Sequence, residues 1–461
     1  MERPNFCDLP NELISLVAEN ARDVGGQKLV RNLCRTNRRV YSIVQRILYR
    51  HINIKRDQAL DHITRTLIEN PSLRSMIRIA EIHTKQWRPR RCRQYNWIFG
   101  CWQDIQMNET RLSPRDLQLL VIARSHCTNK ASDNIQCVFG LLLFLLDRTE
   151  QVQIFDLDAH WDVLDHVLSA GMTISPSSPA LLPAVKTLEL SGKYYLQKNV
   201  QSIYTRNFHP LIAFTTPFDL GVFIHDGPMI DWAILDTLTP GQNLPFHTIK
   251  LKGGHCTSSA LCRLLRHCPN LRHLEIFFST HLPTLLLPQQ YECINTILPT
   301  ACPQLRVLHL RFGRFNWRFF NESAQAFTCL RKMTNLKELR IELDSFVVDE
   351  DIGTLQLANM LPVRLEKMLL DATSYDEGPG YYTGAQTRKK TIEMLIQNLC
   401  IARQTKLPQL NTIIIGVKNG KPRQWTKDAV DTLKDTGASV KVTSGKETAN
   451  IWGCSWNNMG V

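Results

Sequence analysis

The sequence predicts an α/β protein: a small helical bundle at the amino terminus, then an irregular solenoid in which a curved parallel sheet is backed by outer helices. Two observations carry this reading. First, eight stretches repeat one pattern, an apolar residue, two free positions, a second apolar residue, one free position and a third. They are Val152-Phe155-Leu157, Val185-Leu188-Leu190, Phe246-Ile249-Leu251, Leu271-Leu274-Ile276, Leu305-Leu308-Leu310, Leu336-Leu339-Ile341, Leu365-Met368-Leu370 and Leu410-Ile413-Ile415. Successive copies lie 33, 61, 25, 34, 31, 29 and 45 residues apart, which suits a short strand plus a helical return and leaves room in the longest gap for one degenerate copy. Such a unit cannot bury its apolar side alone, but a stack of them can, and the stack offers a curved surface for another macromolecule. Second, residues 8–50 do not follow this pattern. The chain therefore divides into a helical segment at 1–50, a repeat array at 51–450 and a tail at 451–461.

Composition narrows the function classes. With 461 residues and 43% hydrophobic content there is ample material for a large core, and a repeat array grows by addition. The formal charge of +13, from 55 basic and 42 acidic residues, favours an acidic partner. Nucleic acid is not expected to be that partner, because neither zinc-finger spacing nor a basic zipper occurs. The densest basic run, Arg88-Pro89-Arg90-Arg91-Cys92-Arg93, flanked by Trp87 and Tyr95, reads as a solvated loop. Fourteen cysteines without framework spacing, and an amino terminus without the apolar core of a secretory signal, suggest a reducing, cytoplasmic or nuclear location. The longest apolar run, 138–146, has nine residues and is too short to span a bilayer. It reads as the buried return helix before the Val152 strand, and no membrane partner is expected.

In the amino-terminal segment, Asp8 can cap a helix with Pro10 near its first turn and Glu12 shortly after. Leu13, Leu16 and Val17 share one side of that helix, and the stretch from Asn20 to Gly26 ends it. From Gln27 the period is helical again. Leu29, Val30, Leu33, Val40, Val44, Ile47 and Leu48 are apolar, while Lys28, Arg31, Arg35, Arg38, Arg39 and Arg46 supply a basic side. About 40 residues carrying this much charge hold little core, so the bundle needs a partner or the array behind it. Strands at 49–54 and 77–82, separated by an amphipathic segment at 58–68, would make that junction rigid and start the array.

Leu9-Pro10-Asn11-Glu12-Leu13, Leu29, Leu33-Cys34-Arg35-Thr36-Asn37-Arg38-Arg39 and Leu48-Tyr49 together resemble an F-box, the motif that docks substrate receptors onto the adaptor of SCF-type ubiquitin ligases. The repeats that follow resemble leucine-rich repeats, in the order found in that receptor family and particularly in its divergent fungal members. The resemblance implies that Leu9, Pro10 and Leu13, with Leu29, Leu33 and Leu48 of the later helices, enter a hydrophobic groove on the adaptor and so reach the cullin. The array would then hold a protein substrate of unknown identity. The family often has tryptophan where Arg39-Val40-Tyr41 and Leu48-Tyr49 stand here, and the connection containing Gly25-Gly26 lacks the usual proline. The competing reading is a non-ligase repeat scaffold or binding protein whose first helices only cap the solenoid. Exposure of Leu9, Pro10 and Leu13 together would separate the two, because a cap turns them inward.

Within each repeat the three apolar positions turn inward and those between them face outward. Arg272 and His273, Arg306 and Val307, and Lys337 and Glu338 are such positions. The same register places Glu275, His309, Arg340 and Leu369 in one row, whose mixed charge suits a polypeptide better than a polyanion. Cys268-Pro269-Asn270-Leu271 and Cys302-Pro303-Gln304-Leu305 read as one common turn, with the cysteine packed inward. Contact specificity is assigned to the insertions. Foremost is 312–320, which mixes Phe312, Arg314, Phe315, Trp317 and Arg318 in the manner of protein hot spots, with Arg340 beside it on the row. The aromatic-rich stretch 192–231 and the segment 371–387, with Tyr381-Tyr382, are further candidates.

No catalytic constellation emerges. His126-Cys127 and His255-Cys256 are adjacent pairs whose side chains diverge, and His255, Cys256, Cys262, His267 and Cys268 fit no zinc-knuckle spacing. Cys262 and Cys268 read as buried positions of one helix. Lys252-Gly253-Gly254 lacks the remainder of a phosphate loop. The expectation is a non-enzymatic receptor with no catalytic residue, metal or cofactor, acting by raising the local concentration of substrate near a conjugating enzyme.

Overall fold

The computed structural model describes residues 6, 9–84, 87, 113–127, 131–157, 162–172, 182, 184–192, 222–226, 243–252, 258–277, 296–311, 328–342, 357–371, 396–417, 431 and 433–444. The chain forms two compact units, Met1–Val222 and Phe223–Val461. Expectations that concern residues 88–93, 193–221, 227–231, 312–320 and 372–387 fall outside the described residues.

The first unit opens with α1 (Asn11–Cys34) and α2 (Arg38–Arg50). Pro10 is the cap residue of α1 and makes no side-chain cap, and Asp8, the cap expected from the sequence, lies outside the described residues. Helical backbone runs past Asn20 to Gly26, where φ is +63°, a conformation that only glycine adopts cheaply, and the helix breaks there. Asn37 caps α2, its side-chain oxygen accepting from the backbone N–H groups of Arg39 and Val40. The two helices close on Ile14, Ala18, Val30, Val40, Val44 and Ile47, with Phe6, Leu9, Leu33 and Leu48 packed around them. That is a small core, and α2 runs without a loop into the first strand.

Four parallel strands follow in chain order: β1 (His51–Ile54), β2 (Ile79–His83), β3 (Gln151–Leu157) and β4 (Thr187–Gly192). The expected junction is present, with α3 (Asp57–Glu69) between β1 and β2. Next come α4 (Pro114–His126), α5 (Ala131–Leu145) and α6 (Asp162–Met172). The run 138–146 lies in α5 and its end and is buried throughout, packing against α3, α4 and α6. Arg74 Nη1 donates to Asp116 Oδ1 at 2.8 Å with both side chains largely buried, tying the 3₁₀ turn Pro71–Met76 to the start of α4.

The second unit contains β5 (Val222–Asp226), β6 (Thr248–Lys252), β7 (His273–Phe277), β8 (Val307–Arg311), β9 (Glu338–Glu342), β10 (Lys367–Asp371), β11 (Thr412–Val417) and β12 (Ser439–Ser444), hydrogen-bonded in chain order. Every pair whose register is described is parallel. β5 fills the long gap between Val185 and Phe246, as the spacing predicts. The helices include α7 (Ser258–Arg266), α8 (Leu357–Met360) and the helical residues 396–405.

One local device recurs. Before a strand, a buried residue accepts from the N–H three positions on: Leu271 to Cys268, Leu305 to Cys302, Leu336 to Met333, Leu365 to Pro362, Leu410 to Leu407, Val185 to Leu182 and Thr149 to Leu146. Cys268 and Cys302 pack inward as expected, although Cys268 lies beyond the end of α7 rather than on it. Just past each turn, one carbonyl accepts two consecutive N–H groups from the next repeat, as Arg272 does from Arg306 and Val307, and Arg306 from Lys337 and Glu338.

The register corrects one copy of the repeat. Leu188 pairs with Val152 and Leu190 with Ile154, so the first copy is Thr149-Val152-Ile154 rather than Val152-Phe155-Leu157. Val152, Ile154 and Thr149 are wholly buried, whereas Phe155 is half-buried. The hydroxyl at the first position hid the motif and displaced the apparent match by three residues.

At Gly140, α5 lies close against α6. A Cβ there would lie 2.7 Å from Val167 Cγ1 and 3.3 Å from Leu164 Cδ1. Gly140→Ala gains about 1 kcal/mol of helix propensity, against roughly 1–3 kcal/mol for overpacking beside a stiff β-branched neighbour. A lower thermal midpoint with an unchanged far-ultraviolet dichroism spectrum is expected, and a raised midpoint would show that the two helices separate without cost.

Candidate functional site

Two places combine unusual exposure or unusual burial with chemistry. One is the outer side of the first two helices. The exposed large apolar residues among the described positions are Leu13, Leu16, Val17, Val24, Leu29, Tyr41, Val121, Val363 and Ile401, and six of these nine belong to α1 and α2. Leu13, Leu16 and Val17 are 44%, 54% and 39% exposed and follow i, i+3, i+4 spacing, so they form one stripe, while Ile14, Ala18 and Ala21 take the inward positions. Pro10 is also exposed. Leu9, Leu33 and Leu48 are half-buried against the small core, and Leu29 is 41% exposed beside the fully covered Val30. Arg39 holds the start of this surface in place: its Nη2 donates to the Leu9 carbonyl at 3.0 Å and to Asn11 Oδ1 at 2.9 Å. The side-chain amide of Gln27 donates to the His51 carbonyl, fixing the segment after Gly26 against β1.

The same two helices also carry exposed basic groups. Lys28, Arg31, Arg35, Arg38, Arg39 and Arg46 are all exposed. A cleft of about 600 Å³ is lined by Arg46, Arg50, Arg78 and Glu150 among others, with Arg78 paired to Glu150 at 3.0 Å.

The other place is the sheet of the second unit. Register confirms the row Lys250, Glu275, His309, Arg340, Leu369 and Ile414 across β6 to β11. It is not the solvated ladder that the sequence suggests, for Glu275 and His309 are 5% and 4% exposed. On the same side, Phe277, Leu369 and Ile414 share an apolar cluster. Burial of the charged members is tolerated because each is paired with a neighbour across the repeats. Lys250 Nζ lies 3.0 Å from Glu275 Oε2, His273 Nε2 lies 3.6 Å and His309 Nδ1 4.0 Å from the same oxygen. His309 Nε2 lies 3.1 Å from Glu338 Oε1, which also accepts from Arg340 Nε at 2.9 Å and Nη2 at 2.7 Å. Arg340, expected as a contact residue, is thus half-buried and engaged by Glu338. The other expected contacts, Phe312, Arg314, Phe315, Trp317 and Arg318, lie outside the described residues.

These neighbours set the protonation states. Burial opposes ionisation of Glu275, yet His273, Lys250 and His309 together hold its carboxyl down at about 2. The hydrogen bond from His309, outweighing burial and joined by Arg340, holds Glu338 at about 2 as well. Burial, against the pull of Glu338, keeps the His309 pKa below its ordinary value, so the imidazole is neutral at pH 7.

His273, Glu275 and His309 are also the one group of three among the described residues whose ligand atoms converge, all within 4.8 Å of one another. The sequence reading expected no metal and set aside His255, Cys256, Cys262, His267 and Cys268, of which Cys262 and Cys268 are buried in the packing of α7 and its turn and 255–256 lie outside the described residues. The overlooked signal is His-Leu-Glu on one strand with a histidine at the register position of the glutamate in the next repeat. Burial raises the thiol pKa of Cys268 well above its ordinary value and those of Cys302 and Cys329 to about 12, which leaves them unreactive fillers. His126 closes α4 and stacks at 6.0 Å on His166.

No protein-family model matches this sequence, and none of the curated proteins matches it. The class is set by the structure: a mixed α/β protein with amino-terminal helices and a repetitive parallel sheet. Among the described residues no helix is long and apolar enough to cross a membrane.

The carboxylates give the fold an acid limit. Their pKa values are depressed in the folded chain, so the stability they confer is complete above about pH 4.5 and lost as the pH falls towards about 2. Thermal midpoints should be level between pH 5 and 7 by this contribution and drop below that window. Glu275→Gln should cost about 1–3 kcal/mol at pH 7, by leaving charged neighbours unpaired, and should flatten the acid decline. An unaltered acid decline in that variant would remove Glu275 from the account.

Proposed function

We propose that this chain is a substrate receptor of an SCF-type ubiquitin ligase: its first two helices dock the adaptor, and thereby the cullin, while the repetitive sheet and its insertions hold a protein substrate. The observation that carries the reading is the exposed stripe Leu13, Leu16 and Val17, adjoining Pro10 and Leu9, on a helix pair with only a small core of its own. A module that merely capped the array would bury that stripe, because exposed apolar area of this density is unfavourable unless a partner covers it. Leu29 adds a further exposed apolar position after the Gly26 break. The exposed arginines on the same helices suit an acidic docking partner and would raise its association rate.

Rigid presentation supports the same reading. Transfer to a held substrate depends on local concentration, which a floppy docking module would dilute. Here α2 passes directly into β1, and Gln27 and Arg39 bind the segments on either side. In this reading the chain contributes no catalytic group of its own. The substrate would be a polypeptide, met by the insertions at 192–231, 312–320 and 371–387.

The test is co-purification of the full chain with the ligase adaptor, compared with a Leu13→Ala, Leu16→Ala double variant. Both positions are exposed, so the variant should fold like the parent by circular dichroism. Capture by the parent and at least a tenfold loss in the variant are expected, since each leucine covered at an interface contributes on the order of 1–2 kcal/mol. No capture by the parent, where a known receptor is captured, would overturn the proposal and favour the capping role.

A further inference from the structure

We infer that His273, Glu275 and His309 form a binding site for a divalent transition-metal ion of the zinc class, built into the sheet of the second unit. The inference does not rest on the receptor reading, and the two can fail separately.

The site follows from strand geometry. Residues i and i+2 of a strand lie on one side roughly 6.6 Å apart, and register partners on adjacent parallel strands lie about 4.8 Å apart. His273 and Glu275 are the i, i+2 pair on β7, and His309 is the register partner of Glu275 on β8. The three side chains therefore rise from the corners of a small triangle and meet above it. Ligand atoms around a tetrahedral zinc ion are separated by roughly 3.3 Å, given metal–ligand bonds near 2.0–2.1 Å. The separations of 3.6 and 4.0 Å to Glu275 Oε2 approach that value, and the whole set lies within 4.8 Å. A rotamer adjustment of a fraction of an ångström per ligand would close it.

The second observation is the tautomer. Glu338 Oε1 stands 3.1 Å from His309 Nε2 and also accepts from Arg340, so it is an ionised carboxylate that can only accept. Nε2 must therefore carry a proton, which turns Nδ1, the nitrogen left for a metal, towards Glu275 Oε2 at 4.0 Å. This carboxylate–imidazole arrangement is the usual outer support of a metal-bound histidine. The third observation is that His273 Nε2, a buried atom, faces Glu275 Oε2 at 3.6 Å, longer than a well-made hydrogen bond, so that a cation between them would satisfy both. Two nitrogens and one carboxylate oxygen suit zinc and its neighbours in the first transition row better than calcium or magnesium, which favour oxygen. The set supplies three protein ligands and leaves a fourth position for water or a partner's side chain.

Lys250 makes the inference testable. Its ammonium lies 3.0 Å from Glu275 Oε2 on a flexible stem that is about a third exposed, so it competes with a metal for that oxygen and can withdraw to solvent. Titration of the reduced full chain with cobalt(II), followed by its visible absorption and by displacement with zinc, should reveal one site per chain without thiolate charge-transfer bands. His273→Ala with His309→Ala should abolish it, and Glu338→Gln should weaken it 10- to 100-fold. Lys250→Met, which leaves all three ligands in place, should tighten binding severalfold. If the parent binds cobalt(II) no better than the double histidine variant, the site does not exist. If that variant fails to fold, an unchanged affinity in Lys250→Met overturns the inference by itself.

Discussion

The repetitive sheet depends on each parallel strand meeting its neighbour in phase. A single strand of five residues with three apolar side chains cannot stay folded, but the turn before each strand delivers its backbone in phase with its neighbour. Two features enforce that phase: the buried residue that accepts from the N–H three positions later, and the carbonyl that accepts two successive N–H groups from the next repeat. Because the turn is satisfied internally, the composition of the buried position is free to vary among Cys268, Cys302, Met333, Pro362 and Leu407.

That register explains why so much of the fold is legible in the sequence. Apolar residues, mostly leucine and isoleucine, at three fixed positions mark seven strands without help, and the spacing alone reserves a place for β5. Where the apolar signal thins, the reading slips. Thr149 disguises the copy at β3, and β12 follows a glycine at the first position, so Ser439-Val440-Lys441-Val442 carries no triplet at all. The row Glu275, His309, Arg340 was also readable, because register is a one-dimensional property. Its burial was not, since that depends on which groups meet in three dimensions: a carboxylate on β7 is acceptable inside only because Lys250 of β6 and His309 of β8 stand beside it.

The helices at the amino terminus show the opposite balance. Their apolar residues were legible, yet sequence alone divides them poorly into inward and outward sets, because Leu13 and Ile14, or Leu29 and Val30, are neighbours of equal hydrophobicity. Packing of α2 against α1 decides: Ile14 and Val30 enter the shared core, while Leu13 and Leu29 are left outside. The docking proposal grows from this surplus of apolar surface over what a two-helix core can use. It is a matter of area rather than of any single residue.

The connections between register partners range from 25 residues, between Ile249 and Leu274, to 72, between Ala80 and Val152, while the strands they join stay in step. Length is therefore tolerated in the connections far more freely than in the strands, where the described pairs show one register shift, between Ile154 and Leu157 of β3. One residue added inside β7 would turn His273 and Glu275 to the opposite side of the sheet and bring Leu274 out in their place. Insertions between repeats leave the ladder intact. Sequence drift in such a chain is channelled into its loops, so that its binding properties can diversify rapidly while its architecture stands still.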